Sequence, residues 1–124
     1  MIYAPLFPTT CNCCGGKVIY EPDPKMNSGY RYRCTSCGAK VGTNPGHPKE
    51  ALGLLATQDI GALRAECHRL FDERWQNPKG AVSKKIARNV EYARLAKYLG
   101  ISTDDCHFSK MDMDMLNKAL EYLS

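Results

Sequence analysis

Two matched turns decide the fold of this chain: Cys11-Asn-Cys-Cys14-Gly15 and Cys34-Thr-Ser-Cys37-Gly38, with nineteen residues between Cys14 and Cys34. In each turn, a gap of two residues lets both thiolates point at one ion. The glycine that follows permits the positive φ that such a turn commonly needs. Together the turns supply four thiolates, the tetrahedral ligand set of a zinc ribbon. The sequence therefore predicts one structural zinc ion per chain, with the ligands Cys11, Cys14, Cys34 and Cys37.

Four thiolates would complete the coordination shell of this metal. A closed shell leaves no position for water or substrate, so a zinc ion bound in this way supports the fold and does not catalyse. The alternatives are a set of unmetallated buried cysteines, which would not explain two matched turns, and a redox dithiol, for which one turn would suffice. Cys13 lies off the two-residue spacing, and we interpret it as a thiol beside the site that is not a ligand.

The composition indicates a globular protein of the cytoplasm. Hydrophobic residues make up 44% and charged residues 24% of the 124 positions, and no apolar run approaches the roughly 20 residues that span a bilayer. Residues 1–8 have no basic lead and no sustained apolar stretch, so we expect no signal peptide and no membrane association. In a reducing compartment, cysteines paired at short spacing favour metal binding over disulfides.

Residue 50 separates two kinds of sequence pattern, which we interpret as two modules. Residues 1–50 are rich in proline, glycine, cysteine and aromatic residues and show no helical period. We assign them to a zinc-ribbon module with an N-terminal arm. Short strands are predicted at 17–20, 30–34 and 39–43, followed by a loop at 44–48.

Residues 51–124 show a helical period and are predicted to form three helices. The first covers about 57–75, the second lies between the caps Ser83 and Gly100, and the third covers about 112–123. The predicted fold class is α+β, with a small antiparallel sheet packed on a C-terminal three-helix unit. The expected buried face of the second helix carries Ile86, Val90, Ala93, Ala96 and Leu99.

The positive charge is concentrated in the first hundred residues. Residues 1–50 carry six Lys/Arg against three Asp/Glu, residues 51–100 carry nine against five, and residues 101–124 carry two against five. Alternation along the strand places Tyr30 and Tyr32 on one side and Arg31 and Arg33 on the other. Tyrosine rings can stack on bases, and arginines can contact phosphates. The alternative is that the tyrosines pack against the helical half of the chain and the arginines are solvated. The candidate nucleic-acid contacts are Tyr30, Arg31, Tyr32, Arg33, Lys79, Lys84, Lys85 and Arg88.

Histidines provide a weaker case for catalysis. His68 and Asp72 lie four residues apart and are expected to meet on one helix face, where the carboxylate would orient the imidazole. His107 is the third candidate for a metal-dependent nuclease or hydrolase. One alternative is that His68 is a structural residue held in place by the carboxylate of Asp72. Another is that Cys67-His68 and Cys106-His107 form a second metal site. We therefore favour a protein that is not an enzyme.

A series of short motifs covers most of the chain in a fixed order. These motifs are Cys11-x-x-Cys14-Gly-Gly-Lys-Val, Tyr32-x-Cys34-x-x-Cys37-Gly-Ala-x-Val-Gly-Thr43, Leu52-Gly53 with Ala56, Cys67-His68-x-Leu-Phe-Asp72-x-x-Trp75, Tyr92-x-x-Leu-Ala96-x-x-Leu-Gly-Ile101 and Cys106-His107. Their order resembles a family of small zinc-finger-containing proteins of unknown function, found largely in bacteriophages and prophages. The resemblance implies a phage or prophage origin and action inside a bacterial cell, but it supplies no reaction.

Two binding hypotheses follow from these observations. The first is a zinc-ribbon protein that contacts nucleic acid through its basic and aromatic surface. The second is an inhibitor or adaptor that binds a host or phage protein complex, because small phage proteins often act on host machinery. The sequence leaves the ligand and the oligomeric state open.

Overall fold

The computed structural model describes residues 4–78, 80 and 82–124. They form a four-stranded antiparallel sheet followed by three helices, which confirms the predicted α+β class. The chain divides into two compact units, and the division falls between Gly61 and Ala62. We call them the sheet unit (4–61) and the helical unit (62–124, without 79 and 81).

The sheet is a simple meander in which each strand pairs with the next in the chain, in the order β1-β2-β3-β4. Its strands are β1 (Val18–Pro22), β2 (Tyr30–Cys34), β3 (Lys40–Asn44) and β4 (His47–Ala51). The first three correspond to the predicted strands. The fourth strand occupies residues for which a loop was expected at 44–48.

This fourth strand was missed because of two prolines. Pro45 and Gly46 form a two-residue turn in which the side chain of Asn44 accepts a hydrogen bond from the Gly46 N–H (2.9 Å), so the chain reverses at once. Pro48 lies within β4, which is an edge strand, and a residue without an N–H is tolerated there because one side of the strand needs no partner. A proline-rich stretch therefore forms a hairpin rather than a loop.

The sheet unit extends past the division expected near residue 50, because backbone hydrogen bonds continue beyond it. The N–H of Ala51 donates to the Leu6 carbonyl (2.8 Å), which ties the N-terminal arm to β4. Lys40 and Ala56 then exchange two hydrogen bonds of 3.0 and 2.9 Å. The following segment therefore belongs to the sheet unit up to Gly61.

The sheet unit has a small core. Its buried members are Cys11, Val18, Tyr32, Cys34, Ala39, Val41, Ala51 and Leu55. Most are small or of medium size, and two of them are predicted metal ligands. A core this small contributes little hydrophobic stabilisation, so we expect the unit to need a metal cross-link at its cysteines.

The helical unit is built from α1, α2 and α3, with a short 3₁₀ turn before the last. Their bounds are α1 (Gln58–Trp75), α2 (Lys84–Leu99), the 3₁₀ turn (Phe108–Lys110) and α3 (Met113–Leu123); the first turn of α1 lies in the sheet unit. The predicted caps of α2 are confirmed: Ser83 Oγ accepts from the Ile86 N–H (3.2 Å), and Gly100 has a φ of 71°. No helix in the described part of the chain is long and apolar enough to cross a membrane.

The core of the helical unit surrounds Phe71, which is fully buried. Its ring lies 4.4 Å from the ring of Tyr92 and 5.7 Å from that of Phe108. The buried face of α2 differs from the prediction, because Ile86 and Val90 are 57% and 42% exposed. Ala96 and Leu99 are buried as predicted, Ala93 is exposed, and Glu91 and Leu95 are buried in addition.

Burial of Glu91 is compatible with its charge because cations lie beside it. Nη1 of Arg94 donates to Oε1 of Glu91 at 3.1 Å, and Nη1 of Arg74 lies 4.0 Å from Oε2. Apolar periodicity alone assigns a glutamate to the solvent face, since it takes no account of such ion pairs. The buried face of α2 is therefore rotated away from the stripe that contains Ile86 and Val90.

Candidate functional site

The four predicted ligands lie together in the sheet unit. Their sulfur atoms are all within 4.8 Å of one another. The Sγ atoms of Cys11 and Cys37 are 3.7 Å apart, and those of Cys14 and Cys34 are 3.5 Å apart. In a tetrahedral site with Zn–S bonds of about 2.3 Å, the sulfur–sulfur edge is about 3.8 Å. None of the seven cysteines forms a disulfide. The arrangement thus fits a bound metal ion.

Backbone N–H groups of the two turns point at the sulfur atoms. Those of Ser36 and Cys37 donate to Sγ of Cys34 at 3.3 and 3.4 Å, and that of Cys13 donates to Sγ of Cys11 at 3.3 Å. Gly15 and Gly38 have φ values of 77° and 79°, which confirms the positive φ expected after each second cysteine. Such donors stabilise thiolates, the form in which cysteine binds a metal.

The thiols of Cys34 and Cys37 have pKa values shifted in opposite directions. Hydrogen bonds from the backbone of Cys37 and Ser36 lower the pKa of Cys34 to about 6, although burial opposes them. For Cys37, the backbone N–H of Ala39 lowers the pKa, but burial and the neighbouring thiols outweigh it and raise the pKa to about 12. Without a cation the thiol of Cys37 therefore stays protonated near neutral pH, and a divalent metal would favour its thiolate.

Two residues that sequence reasoning did not single out hold the turns in place. A Cβ atom added at Gly16 would lie 2.7 Å from Oγ of Ser36 and 2.9 Å from Sγ of Cys34, so only glycine lets the two turns approach each other. The amide of Asn12 makes two hydrogen bonds of 2.9 Å with the backbone N–H and carbonyl of Leu55. The sequence offered one signal for each residue: Gly16 directly follows Gly15, and Asn12 lies inside the first cysteine turn.

Comparison with known proteins agrees with this site. A family described as a zinc-finger-containing domain, DUF3268, matches residues 7–124. The chain belongs to this family. No curated protein and no solved structure matches it. The family description and the cysteine cluster together make the sheet unit of this DUF3268 protein a zinc-finger domain with four cysteines arranged for metal binding.

The remaining cysteines of this DUF3268 protein form no second metal site. The described residues contain one cluster of three or more metal-ligating side chains, the four cysteines of the sheet unit. Cys67 and Cys106 are fully buried. Burial raises the pKa of both thiols, that of Cys106 to about 11. The alternative of a second metal site at Cys67-His68 and Cys106-His107 is therefore not supported, because these side chains form no metal-ligating cluster among the described residues.

His68 and Asp72 do meet, as predicted from their spacing. Nδ1 of His68 lies 3.2 Å from Oδ2 of Asp72, and Oδ1 of the same carboxylate accepts a hydrogen bond from the indole of Trp75 (3.0 Å). His107 instead lines a cavity with Arg88 and Tyr92 that neither His68 nor Asp72 lines. The cavity at His107 therefore does not bring the three side chains considered for hydrolysis together, and Asp72 serves to fix two rings on α1.

The sheet places the arginines of 30–33 on its charged face. Across the β1–β2 pairing, Nε of Arg31 and Nε of Arg33 both donate to Oε2 of Glu21, at 2.6 and 3.0 Å. Nη1 of Arg31 also donates to Oδ2 of Asp23 at 3.1 Å. Hydrogen bonds from Arg33 and then Arg31 lower the pKa of Glu21 to about 2. Both guanidinium groups are thus already paired with carboxylates.

The tyrosines lie on the opposite face, and they differ in exposure. Tyr32 is buried, and its hydroxyl donates to the Lys49 carbonyl (2.7 Å). Tyr30 and Tyr20 are 37% and 38% exposed, and their rings stack in parallel with centroids 5.2 Å apart. Of the predicted tyrosine contacts, Tyr30 is therefore accessible and Tyr32 belongs to the core.

The basic residues at the start of α2 have a different environment. Lys84 and Lys85 are exposed, and the first turn of α2 contains no acidic residue. The guanidinium of Arg88 lies over the rings of Trp75 (5.6 Å) and Tyr92 (5.3 Å). The ion pairs of the helical unit in the described residues use other arginines and no lysine. Lys79, the remaining predicted contact, lies outside the described residues.

Proposed function

We propose that this chain is a nucleic-acid-binding protein in which a zinc ion shapes the sheet unit and the start of α2 contacts phosphates. The observation that carries the proposal is the state of Lys84, Lys85 and Arg88, which are exposed cations with no carboxylate partner in the described part of the chain. Most other arginines of the chain are paired with carboxylates, so this cluster offers its charge to an external anion.

Zinc is the proposed metal because of the donor set. Four thiolates are soft ligands, and a tetrahedral set of four sulfurs favours zinc among common ions. Cys11, Cys14, Cys34 and Cys37 would hold it with no position left for water, so the ion has no catalytic role. The role of the ion would then be to stabilise the fold of the sheet unit.

The position of the lysines on α2 supports an anionic partner. Cations in the first turn of a helix interact unfavourably with the positive end of the helix dipole, whereas an anion there is stabilised by the dipole and by unpaired backbone N–H groups. A phosphate beside Lys84 and Lys85 would remove the unfavourable interaction. Arg88 follows one turn later, and its guanidinium lies over the rings of Trp75 and Tyr92, which leaves its N–H groups without a carboxylate partner in the described residues and suited to a phosphate oxygen.

Binding to labelled single- and double-stranded oligonucleotides, measured by fluorescence anisotropy at low salt, tests the proposal. Charge reversal in the double variant Lys84→Glu/Lys85→Glu should lower affinity about tenfold, because two phosphate contacts are lost. The matched control is Lys97→Glu/Lys118→Glu, which changes the net charge equally at exposed positions of the same unit. Equal losses in both variants, or no binding by the unaltered protein at low salt, would contradict it.

Protein binding is the second candidate function, and the apolar side of α2 favours it. Ile86 and Val90 lie four residues apart on α2 and are 57% and 42% exposed, and Val82, which precedes the helix, is 45% exposed. A helix face of this kind suits a groove on a partner, such as a host or phage protein complex inside a bacterial cell. Capture of one partner from lysate, retained after nuclease treatment and at high salt and lost in Ile86→Glu, would support this function over the first.

A further inference from the structure

We infer that the cavity beside Tyr20 and Tyr30 receives an unpaired nucleobase, so that the nucleic acid bound by this protein is single-stranded. This inference rests on the proposed function and adds a second site to it, in the sheet unit. The cavity has a volume of about 580 Å³, within the usual size range of ligand sites. It is lined by Phe7, Tyr20, Tyr30, Gly46, His47, Pro48, Lys49 and Glu50.

Three aromatic rings make this cavity suitable for a planar ligand. Tyr20 and Tyr30 are nearly parallel, with an interplanar angle of 7°, and Phe7 is 59% exposed. The hydrogen bond between Leu6 and Ala51 ties the arm to β4, so that Phe7 borders the cavity on the arm side. A base can extend an existing stack of rings because each of its faces is a flat π surface.

The rings are fixed before any ligand arrives. The hydroxyl of Tyr20 donates to the Pro48 carbonyl (2.8 Å), and its ring contacts that of buried Tyr32 with centroids 5.1 Å apart. Tyr30 stacks on Tyr20 and is thereby oriented as well. A ligand therefore meets an ordered surface, and little side-chain entropy is lost on binding.

The rim of the cavity matches the polar parts of a nucleotide. Lys49 is exposed on the edge strand and has no carboxylate partner in the described part of the chain, so it can meet a phosphate. The carboxylate of Glu50 and the backbone of the β3–β4 turn offer hydrogen-bonding groups to the edge of a base. A duplex cannot use this site, since its bases are stacked on one another and not available to the rings.

A proline-rich peptide is the main competing occupant, because such peptides also dock on aromatic rings. The lysine at the rim favours a nucleic acid, whose phosphates are negative, over a peptide without charge. The experiment below includes this peptide as a probe.

The test uses the full, zinc-loaded chain and four labelled probes: a single strand of twelve nucleotides, its duplex, the same strand with abasic central positions, and a proline-rich decapeptide. Tyr30→Ala should lower affinity for the intact strand about tenfold and leave the duplex and the abasic strand unchanged. Tyr30→Phe should retain binding, because it keeps the ring. Tyr98→Ala, which removes an exposed tyrosine from the helical unit, is the control. Zinc content and circular dichroism verify that each variant is folded.

The outcomes separate this inference from the proposed function. If Tyr30→Ala binds the intact strand as the unaltered chain does while Lys84→Glu/Lys85→Glu still loses affinity, the inference is overturned and the proposed function stands. Equal affinity for intact and abasic strands, or binding of the decapeptide that depends on Tyr30, overturns it as well. If the unaltered chain binds no oligonucleotide at low salt, the proposed function fails, and the inference with it.

Discussion

In the sheet unit, Arg31 and Arg33 meet the carboxylate of Glu21 across two paired strands, whereas in the helical unit Lys84 and Lys85 meet no carboxylate in the part of the chain that the structure describes. Both groups are basic pairs in the sequence. The difference arises from geometry: strand register places Glu21 opposite Arg31, while the first turn of α2 contains no acid. Cations of the first kind stabilise a fold, and cations of the second kind can bind a ligand.

The two units also differ in what holds them together. The sheet unit has a small core that includes Cys11 and Cys34, and its turns converge on one metal position. The helical unit buries Phe71, Leu95 and Leu116 without any metal-ligating cluster among its described residues. Loss of the metal should therefore affect one unit and spare the other.

The largest effect is expected from Cys34→Ser. This side chain is fully buried, and its sulfur accepts hydrogen bonds from the backbone N–H groups of Ser36 and Cys37. The substitution removes a metal ligand and the sulfur acceptor of these two groups. We expect no bound zinc and an unfolded sheet unit, with the amide resonances of the helical unit retained in heteronuclear NMR spectra.

Cys13→Ser is the matched control, since Cys13 is exposed and lies outside the ligand cluster. It should keep one zinc ion per chain. A Cys34→Ser protein that binds zinc with full stoichiometry would contradict the assignment of the ligands.

A smaller effect is expected from Gly16→Ala. The added methyl group would lie 2.8 Å from Cβ of Ser36, so the two turns must separate and the ligand tetrahedron must distort. Competition with a chelator should show weaker zinc binding. Gly61→Ala is the control: its Cβ would meet nothing within 4 Å, and in α1 it should stabilise by about 0.5–1 kcal/mol. Equal zinc affinity in both variants would argue against the proposed contact between turns.

The smallest effect is expected from Glu21→Gln, which removes the charge that pairs both arginines. Folding lowers the pKa of Glu21 to about 2, so its contribution to stability is complete above the unfolded value of about 4.3 and is lost as pH falls toward 2. The variant should therefore melt at a lower temperature, by a constant difference between pH 8 and pH 5. It should also bind oligonucleotides slightly more tightly, because Arg33 loses its carboxylate partner, whereas Arg31 keeps Asp23. An unchanged melting temperature at pH 7 would refute the pairing.

How far the sequence predicts this protein depends on the range of the interactions involved. The cysteine turns, the positive φ of Gly15 and Gly38 and the caps of α2 are set by neighbouring residues, and all were predicted. The edge strand β4 was missed, because a strand tolerates a proline such as Pro48 only at the edge of a sheet. The position of a strand within the sheet is not set by its neighbouring residues. The pairing of Arg31 and Arg33 depends on strand register, which spacing does not specify. The buried Glu91 is paired with Arg94 on its own helix and lies near Arg74 on another helix, and apolar periodicity does not show such pairs.

The salt dependence of oligonucleotide binding tests the central claim most directly: the cations of α2, and not Arg31 and Arg33 of the sheet, contact phosphate. The slope of log Kobs against log salt is measured for the unaltered chain, for Lys84→Glu/Lys85→Glu and for Arg31→Gln/Arg33→Gln. The slope should decrease in magnitude by about two in the lysine variant and stay unchanged in the arginine variant. A decrease in the arginine variant with no change in the lysine variant would contradict the claim.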